Sequence, residues 1–312
     1  MAEIVITEFM DEGPVEGLAA DFDVLFDPTL VERPDDILAA IADARAIIVR
    51  NRTQVRAPLL DAGPGIIAVG RLGVGLDNID MAECKARGVA VYPAVGANAD
   101  TVAEYVLGVM FGLLRGVVFT NERVIAGEWP RTDFVGRDAI GRRMGLIGFG
   151  DIARAVARKA RAIGMTVAAC DPFVAPDDPA WAELGVECQD LEGVLTGSDV
   201  VSLHVPLVDD TRHMINATTI ERMVPGAILI NAARGGVIDE AAVCQALRDG
   251  RLGGAAIDVF ENEPVTDGSA FVDVPNLILT PHIAGLSEEA MMRTSIMTAN
   301  SVRAALDGSA AE

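Results

Sequence analysis

The sequence predicts an α/β protein built from two doubly wound parallel-sheet domains, one of them inserted into the other. Short β-branched runs alternate with helical stretches along most of the chain, as in parallel sheets covered by helices. A glycine-rich turn follows the run MGLIGF (144–149) and opens a helix, as in nucleotide-binding units. A final helical segment, within residues 286–312, follows the last predicted strand, and we expect it to pack on the N-terminal part of the chain.

The predicted elements follow in chain order. The first series of strands is predicted at 4–7, 46–50, 66–70 and 89–93. A long helix is then predicted over 99–115, and a second helix ends near 127–130. The second series of strands is predicted at 144–149, 166–170, 199–204, 227–232, 255–260 and 277–280. Ser287 is the predicted N-cap of the last helix, because acidic residues fill its first turn. These elements predict a discontinuous first domain, residues 1–94 and 286–312, and an inserted nucleotide-binding domain, residues 95–285.

Composition limits the possible partners. The 312 residues carry a formal net charge of −21, which argues against nucleic acids and acidic membranes, because both are polyanions. No apolar run approaches the roughly 18 residues that cross a bilayer, and the N-terminal residues do not resemble a secretory signal. We therefore expect a cytoplasmic protein. The four cysteines lack metal-ligand spacing, so no metal site is predicted.

A dinucleotide fingerprint begins the inserted domain. The pattern G-x-G-x-x-A at Gly148, Gly150 and Ala153 follows a predicted strand, although alone it is compatible with a simple tight turn. The next strand ends at Asp171, near the spacing expected for the acid that binds the adenosine ribose. Because its charge repels a 2′-phosphate and no arginine follows at once, NAD is favoured over NADP. The residues predicted to contact the pyrophosphate of this Rossmann-like domain are Gly148, Gly150, Asp151 and Ile152.

Three charged residues follow neighbouring strands of the inserted domain. Arg234 follows AILINA, Glu263 follows AAIDVF, and His282 follows LILT. Taken singly, each has an ordinary interpretation as a helix cap, a solvated acid or a structural histidine. Because the carboxyl ends of parallel strands open into one crevice, their combination with the dinucleotide motif predicts a catalytic set.

This set suits hydride transfer between nicotinamide and C2 of a 2-hydroxy acid. An arginine fork binds a carboxylate with paired donors. A histidine exchanges the hydroxyl proton, because its intrinsic pKa lies near operating pH. A glutamate holds the imidazole in one tautomer and favours its protonated form. We assign these roles to Arg234, His282 and Glu263 respectively.

Several long motifs resemble the D-2-hydroxyacid dehydrogenase family along essentially the whole chain. They are GRLGVGLDNID (70–80), GLIGFGDIA (145–153), SLHVPL (202–207), INAARGGVIDE (230–240), AAIDVFENEP (255–264) and TPHIAG (280–285). The resemblance implies a substrate domain formed from both chain ends, a central NAD domain, a cleft between them and a homodimer. It also implies the same catalytic trio. The formate dehydrogenase branch is disfavoured, because it has glutamine at the position of Glu263, and we expect no appended regulatory domain.

The resemblance further implies contacts with the cofactor and the substrate. The implied cofactor residues are His204, Val205, Pro206, Thr211, Ala232, Ala233 and Asp258, to which we add Gly285 because it leaves room beside the nicotinamide. The implied substrate residues are Val74 and Gly75, through their backbone amides, with Asn98 near the domain hinge.

Three arginines of the first domain are candidates for a second anionic group on the substrate. Arg50 ends the predicted strand 46–50, Arg52 lies two residues further on, and Arg71 follows the strand 66–70, although ordinary surface arginines are an alternative interpretation. The stretches ITEFMDE (6–12), VRNRTQV (49–55) and GEWPR (127–131) are most similar to the (S)-sulfolactate dehydrogenase branch. We therefore expect oxidation of (S)-sulfolactate to sulfopyruvate. The alternatives are D-3-phosphoglycerate dehydrogenase, glycerate or hydroxypyruvate reductase, and an NADH-gated scaffold protein without turnover.

Overall fold

The protein is represented by a computed structural model that describes residues 2–309. It divides into two compact units. Unit 1 comprises the residues up to Asn98 together with those from Leu286 onward, and unit 2 comprises Ala99–Gly285. Each unit contains one parallel sheet, with strand order β2-β1-β3-β4-β5 in unit 1 and β12-β11-β10-β9-β6-β7-β8 in unit 2.

The strands and helices are numbered through the chain. The strands are β1 (Ile4–Ile6), β2 (Val24–Phe26), β3 (Ala46–Val49), β4 (Ala68–Arg71), β5 (Ala90–Pro93), β6 (Arg143–Ile147), β7 (Thr166–Cys170), β8 (Glu187–Cys188), β9 (Val200–Leu203), β10 (Ala227–Asn231), β11 (Leu252–Ile257) and β12 (Leu277–Leu279). The helices are α1 (Glu12–Ala19), α2 (Pro34–Ala40), α3 (Ala57–Ala62), α4 (Met81–Ala86), α5 (Ala99–Arg115), α6 (Asn121–Ile125), α7 (Asp151–Ala162), α8 (Pro179–Leu184), α9 (Leu191–Gly197), α10 (Ala217–Ile220), α11 (Glu240–Arg248) and α12 (Glu288–Leu306).

The sheet of unit 1 is buried on both faces. Along β1, Val5 belongs to the core on one face, while Ile4 and Ile6 belong to the core on the other. This alternation follows from the two-residue period of a strand. Helix α12 covers the second face so closely that a Cβ on Gly70 would lie 2.7 Å from side-chain atoms of Thr298 and Val302. The C-terminal helix is therefore an integral part of unit 1.

The sheet of unit 2 has the doubly wound order expected of a dinucleotide-binding domain. Its central strands β6, β9 and β10 are buried almost throughout, which explains their near-continuous apolar sequences. The sheet positions the sites because β10, β11 and β12 are neighbours, so the loops that follow them leave the same edge side by side.

Some predicted bounds differ from the structure. The strand predicted at 255–260 begins earlier and ends earlier, at Leu252–Ile257, because Asp258 already turns into the next loop. The second helix ends at Ile125 rather than near 127–130, because Gly127 adopts a φ of 82°. The edge strands β2 and β8 were missed, since they are short and not fully buried.

The first division between the units lies after Asn98, whereas we predicted it after residue 94. The segment between these points is bonded into unit 1. The Ala94 amide donates to the Gly73 carbonyl at 2.9 Å, and Arg293 Nε of α12 donates to the Ala97 carbonyl at 2.9 Å. These bonds account for the later boundary.

Helix α5 and the helical segment after it are rich in apolar residues. Within residues 2–309 no single helix is long and apolar enough to cross a membrane. One bent combination, Ala99–Arg115 with Val117–Ile125, meets the length and composition test with a bend of 67°. Helix α5 itself packs into the core of unit 2 through Val106, Met110 and other buried residues.

Candidate active site

The loop that carries His282 is built around the buried carboxylate of Asp258. Asp258 Oδ1 accepts hydrogen bonds from Thr280 Oγ1 at 2.6 Å and the Ile283 amide at 2.9 Å, and Oδ2 accepts from the Ala284 amide at 2.9 Å. The His282 amide donates to the Asp258 carbonyl at 2.8 Å. Three donors compensate for the burial of this carboxylate. Asp258 thus determines the path of the chain through His282.

Glu263 and His282 form a direct pair. His282 Nδ1 lies 2.7 Å from Glu263 Oε2, and Glu263 Oε1 accepts a hydrogen bond from the Phe260 amide at 2.9 Å. One carboxylate therefore bridges its own loop and the imidazole. The Glu263 side chain is 36% exposed and that of His282 is 50% exposed, so the imidazole is accessible from the solvent.

A second carboxylate, at the start of α11, binds the loop that carries Glu263. Glu240, the first residue of α11, accepts a hydrogen bond from the Glu261 amide at 2.7 Å. Burial raises the pKa of Glu240, and the nearby carboxylates of Glu261, Asp239 and Glu263 raise it further. The loop is thus bonded both to α11 and, through Glu263, to His282.

The loop after β10 positions Arg234. The buried Asn231 side chain accepts from the Ala233 amide at 3.1 Å and donates to the Arg234 carbonyl at 3.0 Å. Arg234 Nη1 donates to the Ala233 carbonyl at 2.6 Å. A Cβ on Gly235 would overlap the backbone of Phe260, so this loop lies directly against the one that carries Glu263. Glycine is required there by close approach.

The dinucleotide loop fits a bound NAD. Gly148 has a φ of 95°, and a Cβ there would overlap the His204 carbonyl. Gly150 is the N-cap of α7, so the first amides of that helix, at Asp151 and Ile152, have no partner within the helix and are available to phosphate oxygens.

The predicted ribose-binding acid is bonded to this loop. Asp171 Oδ2 accepts from the Phe149 amide at 2.8 Å, and Oδ1 accepts from the Phe173 amide at 2.9 Å. Each oxygen retains a lone pair for a ribose hydroxyl. Phe149 also stacks on Trp181, with ring centroids 4.0 Å apart, and this contact braces the loop from the core side.

The remaining predicted cofactor residues lie in loops of unit 2. His204 is half-buried with its Nε2 enclosed, and burial lowers the pKa of the ring to about 4. Thr211 Oγ1 donates to the Pro206 carbonyl at 2.6 Å and closes the loop that contains Val205. Ala232 and Ala233 lie after β10, and Gly285 is the last residue of unit 2.

The predicted substrate arginines lie in unit 1 and differ in their surroundings. Arg52 forms an exposed ion pair with Glu32 at 2.9 Å. Arg71 Nη1 donates to the Leu72 carbonyl at 2.8 Å, and its guanidinium lies over Gly73, whose φ of 141° favours glycine.

Arg50 lies at the end of β3 and is half-buried. Burial lowers the pKa of its guanidinium, and the charges of Glu8 and Asp11 oppose that shift.

The backbone positions predicted to hold the substrate carboxylate are also in unit 1. Val74 and Gly75 follow β4, immediately after the glycine covered by Arg71. Asn98 is the last residue of unit 1 before α5, and its Oδ1 is buried without a hydrogen-bond partner among the described residues.

Several supporting residues were missed by the sequence analysis. Asn231 was detectable in principle as a polar residue that ends an apolar strand. The signal for Glu240 was weak, because an acid in the first turn of a helix is common. Tyr105, whose hydroxyl lies 2.6 Å from Thr280 Oγ1, carried no signal, since the two residues are 175 positions apart.

The chain is similar to a known protein family along most of its length. The model of the "D-isomer specific 2-hydroxyacid dehydrogenase, NAD binding domain" matches residues 107–284. The chain is 50% identical to an (S)-sulfolactate dehydrogenase of Chromohalobacter salexigens, over 98% of this chain and 99% of that protein. It is 36% identical to a D-3-phosphoglycerate dehydrogenase of Mycobacterium leprae, over 98% of this chain but 57% of the relative.

A solved structure resembles the whole fold. It is D-lactate dehydrogenase of Aquifex aeolicus in complex with NAD and lactic acid, with a TM-score of 0.86 and 28% sequence identity. The similarity covers 98% of this chain and 96% of the other.

Proposed function

Because the chain belongs to the D-isomer specific 2-hydroxyacid dehydrogenase family, we propose that it oxidises an anionic 2-hydroxy acid of D-type configuration, with (S)-sulfolactate as substrate and sulfopyruvate as product. Its cofactor is NAD. The observation that carries the reaction is the 2.7 Å contact between His282 Nδ1 and Glu263 Oε2 in an NAD-binding domain. The 50% identity to an (S)-sulfolactate dehydrogenase supports the substrate.

The proton is handled by the His282–Glu263 pair. With Glu263 as acceptor, Nδ1 carries a hydrogen and leaves Nε2 as the base for the substrate hydroxyl. As Nε2 takes that proton, the imidazole becomes cationic and Glu263 stabilises the charge. The chemistry that bound NAD would supply is the acceptance of the hydride from C2. In the reverse direction His282 returns its proton to the oxygen of the 2-oxo acid.

The cofactor is held by groups of unit 2. The amides of Asp151 and Ile152 at the N-terminus of α7 bind the pyrophosphate, and Gly148 and Gly150 leave room for it. Asp171 accepts hydrogen bonds from the ribose hydroxyls. The further cofactor residues proposed are His204, Val205, Pro206, Thr211, Ala232, Ala233, Asp258 and Gly285.

The substrate carries two anionic groups, and we assign a cationic group to each. Arg234 forks onto the C1 carboxylate. The amides of Val74 and Gly75 are the substrate contacts that the family resemblance implies. Arg50 and Arg71 recognise the sulfonate at C3. The configuration of (S)-sulfolactate is consistent with a D-specific enzyme. Sulfur gives the sulfomethyl group priority over the carboxylate at C2, so (S)-sulfolactate has the spatial arrangement of D-lactate.

Other candidates remain as outcomes of the same test. D-3-phosphoglycerate is supported by the relative from Mycobacterium leprae, and its phosphate suits the same arginines. Glycerate or hydroxypyruvate would leave these arginines without an anionic partner on the substrate. An NADH-gated scaffold would bind NADH tightly without turnover.

The proposed assembly is a cytoplasmic homodimer. A group of strongly exposed apolar side chains in unit 2 supports a protein contact there: Ile125, Trp129, Val135 and Ile140. A monomer mass in light scattering would contradict it.

Steady-state NADH formation with a panel of acids tests the function. The panel comprises (S)-sulfolactate, D-3-phosphoglycerate, D-glycerate, D-malate and D-lactate, each at matched ionic strength. We expect the highest kcat/KM with (S)-sulfolactate, and at least about tenfold lower values with D-lactate, because one lost charged contact is worth more than ~1.4 kcal/mol. A higher value with D-3-phosphoglycerate would change the substrate, and no turnover with tight NADH binding would favour the scaffold.

A further inference from the structure

The buried carboxylate of Glu8, which follows β1 and is 4% exposed, is heavily bonded. Its oxygens accept hydrogen bonds from four successive backbone amides after β3. Oε1 accepts from Arg50 at 2.8 Å and Thr53 at 3.0 Å, and Oε2 accepts from Arg52 at 3.1 Å and Asn51 at 3.4 Å. A buried carboxylate needs such donors, and here all of them come from one turn.

The same turn is bonded from its other side. Asn78 Nδ2 donates to the Thr53 carbonyl at 2.7 Å and lies 3.4 Å from the Arg50 carbonyl. The Thr7 and Thr53 hydroxyls lie 2.8 Å apart, and both residues are buried. The backbone amides of residues 50–53 therefore face Glu8, and the carbonyls of Arg50 and Thr53 face Asn78. The turn is therefore bonded to unit 1 on both sides.

The turn fixes the backbone position from which the Arg50 side chain extends. Within residues 2–309 that group makes no hydrogen bond or ion pair within normal distance, although it is half-buried. Arg52, two residues later, is instead exposed and paired with Glu32. Arg50 is thus a cation that extends from an anchored backbone position and is available to an external anion, whereas Arg52 already has a partner.

We propose that Glu8 is a positioning residue that determines the preference for substrates with a second anionic group, because it holds the Arg50–Thr53 turn that presents the Arg50 guanidinium. This inference rests on the proposed function, in which Arg50 binds that group. Glu8 itself contacts no substrate. Its contribution is preorganisation, since a charged contact displaced by about 1 Å can cost up to ~10²-fold in activity.

Glu8→Gln tests the inference, because an amide nitrogen cannot accept from the amides that one carboxylate oxygen now binds. KM for (S)-sulfolactate should rise about tenfold or more, while KM for D-lactate and kcat for both change less than about threefold. Glu32→Gln is the matched control, since it removes an exposed carboxylate that pairs with the same turn. That variant should leave both KM values unchanged. Equal rises for the two acids with Glu8→Gln would overturn the inference.

Glu8→Asp covers the case in which Glu8→Gln does not fold. It keeps the charge and both acceptor oxygens but is one methylene shorter, so an intermediate rise is expected for the dianionic acid alone. An unchanged ratio of the two KM values in a folded Glu8→Asp enzyme would also overturn the inference. If the wild type prefers D-3-phosphoglycerate, the proposed substrate fails and the same comparison is made with that acid. If no dianionic acid is preferred over D-lactate, both proposals fail.

Discussion

His282 has a backbone φ of 57°, which is uncommon for a residue with a side chain. Such a conformation costs on the order of 1–3 kcal/mol and persists only when the surroundings impose it. Here the imposing group is Asp258, whose carboxylate binds Thr280, Ile283 and Ala284 around the histidine. A family resemblance implies that Asp258 lies along the cofactor. The bonds described show that it also shapes the loop that carries the candidate base.

His282→Ala should lower kcat by about 10²-fold or more, because it removes the proposed general acid–base. NADH affinity, measured by fluorescence titration, should change little, since the proposed pyrophosphate and ribose contacts lie in other loops. His213→Ala is a matched control. His213 also has a positive φ, 47°, and also contacts a glutamate, Glu261, at 3.0 Å.

The control should retain nearly normal kcat, because His213 has no assigned part in proton transfer. A near-normal kcat in His282→Ala would remove this residue from the mechanism. A comparable loss of kcat in both variants would instead indicate that the histidines affect kcat by stabilising the loops.

At the scale of elements, the candidate site depends on the contact between the loops after β10 and β11. Gly235→Ala should disturb it, because the new Cβ would overlap the Phe260 backbone, which cannot move without the Glu263 loop. Overpacking of this kind typically costs about 1–3 kcal/mol. We expect a lower Tm and a lower kcat. Gly268→Ala is the control, since nothing lies within 4 Å of its Cβ position. A Gly235→Ala enzyme with wild-type Tm and kcat would show that this contact is dispensable.

The elements differ in how far sequence could predict them. The buried central strands and α5 were predictable, because continuous apolar runs and helical length are local properties. The N-cap of α12 at Ser287 is confirmed by the hydrogen bond from the Ala290 amide to its hydroxyl, 3.1 Å. The edge strands β2 and β8 lack such patterns. Their formation depends on pairing with β1 and β7, which a local pattern does not reveal.

The site was partly predictable for the same reason. Arg234, Glu263 and His282 could be selected because each follows a recognisable strand. The groups that support them could not, since the Arg50 amide that donates to Glu8 and the paired hydroxyls of Tyr105 and Thr280 join residues far apart in sequence. Spacing along a chain indicates which strand ends meet, but not which distant polar groups hold a loop in one conformation.

At the scale of the whole molecule, the charge balance predicts a response to salt. The chain has 46 acidic and 25 basic residues, and the difference, 25 − 46, gives the formal net charge of −21. Such an excess destabilises a compact chain by self-repulsion. Exposed ion pairs, such as Arg123 with Asp133, act in the opposite direction, but each is worth only about 0–1 kcal/mol.

Added salt should therefore raise Tm. The Debye length falls from about 10 Å at 0.1 M to about 3 Å at 1 M, so the long-range repulsion is screened first. We expect Tm to rise between 0.05 and ~0.5 M NaCl and then to level off, with KCl giving the same curve, because screening does not depend on the identity of the cation. A Tm that is flat or falls over this range would mean that the local ion pairs outweigh the excess of acidic charge. A rise that differed between the two salts would indicate specific cation binding instead of screening.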